Sequence, residues 1–132
     1  MPEPPTLDEL RAAAVADCRR SMEAKARLGV TLDGAMGVAG HLVDAMEAGR
    51  SLIATMREVE AHASRQAATD AIRAYESARH RCRLRLVAVA IAEGASDADL
   101  CKLWKMSPEM VRRARRELAR LDEQEAASAP AE

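Results

Sequence analysis

From Ser51 to Glu93 the chain contains no glycine and no proline. A stretch that long without a breaker, rich in Ala, Arg and Glu, must be helical over most of its length. It predicts either one continuous helix or two helices meeting near Thr69 or Arg79. Residues 82–87 alternate polar and apolar, as a strand would, but Leu84, Val87, Ala88 and Ile91 fit a helix equally well. The helical neighbourhood decides for a helix. Aromatic side chains point the same way, because Tyr75 and Trp104 are the only two and there is no Phe. Any core is therefore aliphatic, which favours packed helices over a sheet. The expected fold class is all-α.

Elsewhere the helix boundaries are marked by local chemistry. Pro2, Pro4 and Pro5 form a stiff lead-in. Thr6 and Glu9 make a capping-box pattern, and Leu7, Leu10, Ala14, Cys18 and Met22 follow on one face. Gly29 predicts the end of this helix near Leu28. A second helix is expected from Thr31 or Leu32 to Gly49, striped by Leu32, Ala35, Met36, Ala39, Val43 and Met46. Its Gly34, Gly37 and Gly40 imply either a close approach by another helix or a flexible one, each costing about 1 kcal/mol relative to Ala. After Gly94 and Ala95, Ser96 and Asp99 repeat the capping-box pattern and open a short helix to about Lys105. Ser107 caps the next, with Pro108 at its first position, where a missing N–H costs nothing. That helix is expected to reach Leu121. Residues 122–132, acidic and small, are expected to be a disordered tail.

Charge is unevenly spread beneath a net of -1. Residues 80–120 hold ten Lys or Arg against five Asp or Glu, residues 1–79 hold ten against twelve, and residues 121–132 hold four acids and no base. A basic segment of this kind suits a polyanionic partner. Lys occurs only at 25, 102 and 105, the other basic residues being Arg. With abundant Ala, that usage indicates a GC-rich bacterial or phage genome.

Little else carries chemistry. Cys18, Cys82 and Cys101 are odd in number and widely spaced, so they predict buried reduced thiols, not a disulfide framework. His41, His62 and His80 have no metal-ligand spacing with one another or with a Cys, so no metal and no cofactor is expected. The glycines lack the setting of a phosphate loop, and no nucleophile–base arrangement stands out, so the chain is not expected to be an enzyme. The longest apolar run, Leu86–Ala92, falls far short of the roughly 20 residues a membrane span needs, and the N-terminus lacks an apolar leader core. A cytoplasmic protein without a membrane partner is the expectation.

The informative segment is DADLCKLWKMSPEMVRRARRELARL, which starts at Asp97. Leu100, Cys101 and Trp104 share one face of the short helix. Met106 lies in the turn, and Val111, Ala114 and Leu118 line one side of the helix beyond it. Leu84, Val87 and Ile91 can complete a three-helix core. Residues 82–121 resemble the helix-turn-helix superfamily, in particular sigma-factor region 4 and small bacterial or phage transcription regulators. One departure is Lys105, in a turn where Gly is common.

The resemblance implies a double-stranded DNA partner, with RNA polymerase or another regulatory protein as a second one. Glu109, Arg112, Arg113 and Arg116 then face the major groove, Arg112 and Arg113 reading bases, since Arg can engage guanine in bidentate fashion. Ser107 and the helix N-terminus would hold a phosphate. Lys102, Lys105, Arg115 and Arg120 would contact the DNA backbone, as would Arg81, Arg83 and Arg85 if they project outward. The expected domains are a helical association or partner-binding module at 6–79, a DNA-binding module at 80–121 and the tail. A homodimer is the expected assembly. Two other uses of the same residues stand beside a transcription regulator: a phage or mobile-element packaging or replication protein, and a helical adaptor that binds protein only.

Overall fold

The computed structural model describes residues 3–128. They form five helices: α1 (Leu7–Glu47), α2 (Leu52–Glu58), α3 (Ala61–Ala92), α4 (Asp97–Trp104) and α5 (Pro108–Ser128). No strand occurs among the described residues, so the fold is all-α. Met1, Pro2 and the last four positions of the expected tail lie outside that range.

The starts and stops of these helices follow local hydrogen bonding. At α1 the Thr6 N–H donates to Glu9 Oε2 (3.1 Å) and the Glu9 N–H donates to Thr6 Oγ1 (3.2 Å), closing the capping box. Gly49, at φ +74°, ends the helix, and the Arg50 N–H reaches back to the Ala45 carbonyl at 2.9 Å. This left-handed position satisfies late carbonyls of α1 at no steric cost to a glycine. Ser51 caps α2, its hydroxyl accepting from the Ala54 N–H. Ser96 and Asp99 cap α4 reciprocally, at 2.9 and 3.1 Å.

Several expectations need correcting. The first helix does not stop at Leu28; α1 continues through Gly29 to Glu47, 41 residues in all. A single glycine lowers helix stability without breaking the hydrogen-bond ladder, and half-buried Leu28, Thr31 and Ala35 hold the turns on either side against the protein. A Cβ built at Gly34, Gly37 or Gly40 would meet nothing within 4 Å, so no helix of this chain approaches closely there. The break in the glycine-free stretch falls neither at Thr69 nor at Arg79, through which α3 runs unbroken. It falls at Glu60, which adopts φ +49°. Residues 122–128, expected as disordered tail, continue α5. Leu121 is buried, and Asp122 and Glu125 pair with arginines of α3, which anchors these turns.

The described residues divide into two compact units, one of residues 3–18 with 80–128 and one of 19–79. The start of α1 thus belongs with the C-terminal residues, not with a module of 6–79. In the first unit Leu84 and Val87 of α3, Leu100 of α4, Met106, and Val111, Ala114 and Leu118 of α5 form one continuous buried cluster. Ile91, Cys101 and Trp104 pack on its margin. In the second unit the buried residues are small: Ala24, Ala45 and Thr55.

Two features tie the start of α1 to α3 in the first unit. Cys18 and Cys82 form a disulfide, with Cα atoms 4.8 Å apart, against the expectation of reduced thiols. Their separation of 64 positions along the chain carries no sign of proximity; the packing of the two helices creates it. Cys101 is the unpaired cysteine and is half-buried. Beside the disulfide, the buried Asp17 carboxylate accepts from Arg85 Nε at 3.0 Å and Arg81 Nε at 3.2 Å. Arg85, itself buried, also pairs with Glu125 and Asp122 of α5. Burial opposes ionisation of Asp17, but the hydrogen bonds and charges of Arg85 and Arg81 outweigh it and hold the carboxyl below its usual pKa.

Candidate nucleic-acid interface

The candidate site is built on the junction of α4 and α5. Lys105, Met106 and Ser107 join the two helices in three residues. So tight a reversal requires a left-handed residue, and Lys105 supplies it at φ 51°, ψ 40°. Met106 is buried and fills the inside of the turn. The Ser107 hydroxyl accepts from the Met110 N–H at 3.2 Å, capping α5, with Pro108 as its first residue. That hydroxyl is engaged in the cap, so the expected phosphate contact at Ser107 would need its remaining hydrogen-bond capacity.

Burial orients α5. Val111 is fully buried, and Ala114, Leu118 and Leu121 turn the same way. Helical periodicity then directs Glu109, Arg112, Arg116 and Arg120 to the opposite face, and all four are exposed. Arg113, also exposed, sits on the flank of that face. It lines a concavity of about 180 Å³ with His80, Arg83, Met106, Met110 and Glu117. His80 and Glu117 are in direct contact there. Lys102, on α4, and Lys105, in the turn, are exposed beside the start of α5.

Arg112, Arg113, Arg116, Arg120, Lys102 and Lys105 make no ion pair or side-chain hydrogen bond with any described residue. Arg115 differs from them. Its guanidinium is held by the Asp97 carboxylate through Nε (3.2 Å) and Nη2, linking α5 to the first turn of α4. It is therefore a strut between the two helices rather than an open cation. Arg81 and Arg85, considered as outward contacts, are instead committed to Asp17 and the acids of α5. Arg83 is half-exposed in the concavity.

The structure thus brings together eight of the nine candidates as an exposed group on α4, the turn and α5, and commits the ninth, Arg115, to Asp97. What the sequence reading missed is the Asp17–Arg81–Arg85–Glu125 cluster that holds the far end of α5. Its one visible signal was the i, i+4 pairing of Arg81 with Arg85, which places both on one face of α3. Among the described residues no group of three or more His, Cys, Asp and Glu is arranged to hold a metal ion. No described helix is long and apolar enough to cross a membrane. Compared with known protein families, characterised proteins and solved structures, the chain matches none.

Proposed function

We propose that the protein is a sequence-specific DNA-binding regulator, in which the end of α3, α4 and α5 act as a helix-turn-helix and α5 enters the major groove of double-stranded DNA. The observation that carries this reading is the row of arginines on α5 that pair with no described residue. One face of the helix is consumed by the core through Val111, Ala114 and Leu118. The other presents Arg112, Arg116 and Arg120 at four-residue spacing, with Arg113 on its flank. Structural arginines in this unit find carboxylates, as Arg81, Arg85 and Arg115 do; these four do not. Exposed guanidiniums on a rigidly held helix suit bidentate bonds to guanine and charge-assisted bonds to phosphate. Glu109, in the first turn, suits the helix N-terminus and can accept from a cytosine amino group.

Fragments of the source genome selected on the full-length protein, followed by fluorescence anisotropy at two salt concentrations, test the proposal. Arg112→Ala or Arg116→Ala should each cost about 1–3 kcal/mol on the selected site and blur preference at one base position. Lys102→Ala or Lys105→Ala should weaken binding to all sequences and reduce the salt dependence by about one unit of slope. Equal losses on selected and random DNA would reduce α5 to a non-specific electrostatic surface. Unchanged binding in all four variants, or no binding by the parent protein, would leave the protein-only adaptor as the better reading.

A further inference from the structure

The 19–79 unit leaves most of an apolar seam of α1 uncovered. Met22, Gly29, Met36 and Val43 follow one another at intervals of seven, and Lys25, Leu32, Ala39 and Met46 repeat the same interval three residues on. These are the a and d positions of a heptad, the pattern that lets one helix bury a seam against another. Its large side chains stand in solvent: Met22 is 71% exposed, Met36 69%, Met46 49%, Val43 47% and Leu32 39%, while Ala39 is half-buried beside Met56 and Arg65. A monomer seldom exposes so long a row of large apolar side chains without using it. The seam drifts by about 20° per heptad on a straight helix, which a slight left-handed supercoil corrects.

We infer that α1 pairs through this seam with α1 of a second copy of the chain, antiparallel, with residue 34 at the two-fold axis. Three observations select that occupant and orientation. The first is charge. Residues 19–27 hold Arg19, Arg20, Lys25 and Arg27 against the single acid Glu23, whereas residues 28–47 hold Asp33, Asp44 and Glu47 and no Lys or Arg. Antiparallel pairing lays the basic half of each helix on the acidic half of the other, and Arg19 meets Glu47 of the second copy at both ends. A parallel pair in register would stack like on like and oppose the two Lys25 side chains in the seam.

The second observation is register. Pairing a with d positions about residue 34 matches Met22 with Met46, Lys25 with Val43, Gly29 with Ala39 and Leu32 with Met36, using every seam position from 22 to 46. Large residues meet at the centre and the ends. A Cβ at Gly29 would touch nothing within 4 Å in the isolated chain, so its smallness answers no contact inside the molecule. The third is extent. The seam spans roughly 36 Å of helix at about 1.5 Å per residue. With its flanks it would cover roughly 1,000 Å² counted over both copies, about the minimum for a specific interface and in the range of a reversible dimer.

The inference stands apart from the DNA-binding proposal, and its test uses no DNA. Light scattering of the full-length protein across a concentration series should give twice the chain mass at tens of micromolar. Met22→Glu combined with Met36→Glu should give the single-chain mass with an unchanged far-ultraviolet circular dichroism spectrum, since both side chains are exposed in the isolated chain. For orientation, Met22→Cys and Met46→Cys are each made in a Cys101→Ser background and oxidised singly and mixed. A disulfide-linked dimer only in the mixture is expected. A parent protein that is monomeric throughout, a double-Glu variant that stays dimeric, or cross-linking of Met22→Cys with itself would each overturn the arrangement.

Discussion

The two units of the chain are built from the same amino acids and reach opposite ends of the packing scale. Residues 80–118 bury Leu84, Val87, Leu100, Met106, Val111 and Leu118 in one cluster. Residues 19–79 bury two alanines and a threonine, while Val30 and Ile53 remain 74% and 64% exposed. Both are mostly helical, so helix formation and core formation are separable. Alanine-rich sequence supplies helices cheaply, but stability comes from the large apolar side chains a tertiary contact removes from water. The first unit closes on itself and reinforces the closure with a disulfide and a buried ion-pair cluster. The second leaves its large apolar side chains exposed instead of burying them internally.

The sharpest way to break this contrast is to remove the charge at the centre of the first unit. Asp17→Ala leaves buried Arg85 with only its α5 carboxylates and should lower stability by about 3 kcal/mol in urea unfolding. The same carboxylate predicts an acid limb. Its folded-state pKa lies below the unfolded value, so its contribution is complete above about pH 4 and fades as pH falls through the folded value. The parent should lose stability over that range more steeply than Asp17→Ala; parallel acid limbs would show that Asp17 is not the group responsible.

Leu100, fully buried, should cost about 2–5 kcal/mol when truncated to Ala. Ile53→Ala in the second unit should cost under about 0.5 kcal/mol by the same measurement, because little contact is lost. Comparable losses at the two sites would mean that the second unit is packed as tightly as the first. Reduction of the Cys18–Cys82 bond, which closes a long loop, should lower stability by about 2–4 kcal/mol, read as the shift in midpoint between oxidised protein and a Cys18→Ser, Cys82→Ser variant. The smallest effect is expected at the turn. Lys105→Gly relieves a left-handed non-glycine residue and should raise stability by about 1 kcal/mol in the same urea unfolding.

What could be read from the sequence alone was local. Thr6 with Glu9, Ser96 with Asp99, Gly49, and Ser107 with Pro108 mark their helix ends because each acts on backbone groups within a few residues of itself. The inward set Leu100, Val111, Ala114 and Leu118 was legible for the same reason: burial on one face imposes a helical period, and the period survives in the sequence. The exposed arginines of α5 then follow as the remainder of the wheel. Only the tertiary structure decided the rest. Cys18 with Cys82 and Asp17 with Arg85 lie more than sixty positions apart and become neighbours when α1 packs on α3, an event with no periodic trace. Gly29 and Asp122–Ser128 were misjudged because propensity sets only about 1 kcal/mol per residue, which burial of adjoining side chains outweighs on α1 and which Leu121 and paired Glu125 outweigh on α5. Glu60 marks the converse limit: it ends one helix and begins another in a left-handed conformation that its residue type disfavours, so the choice belongs to the packing on either side of it.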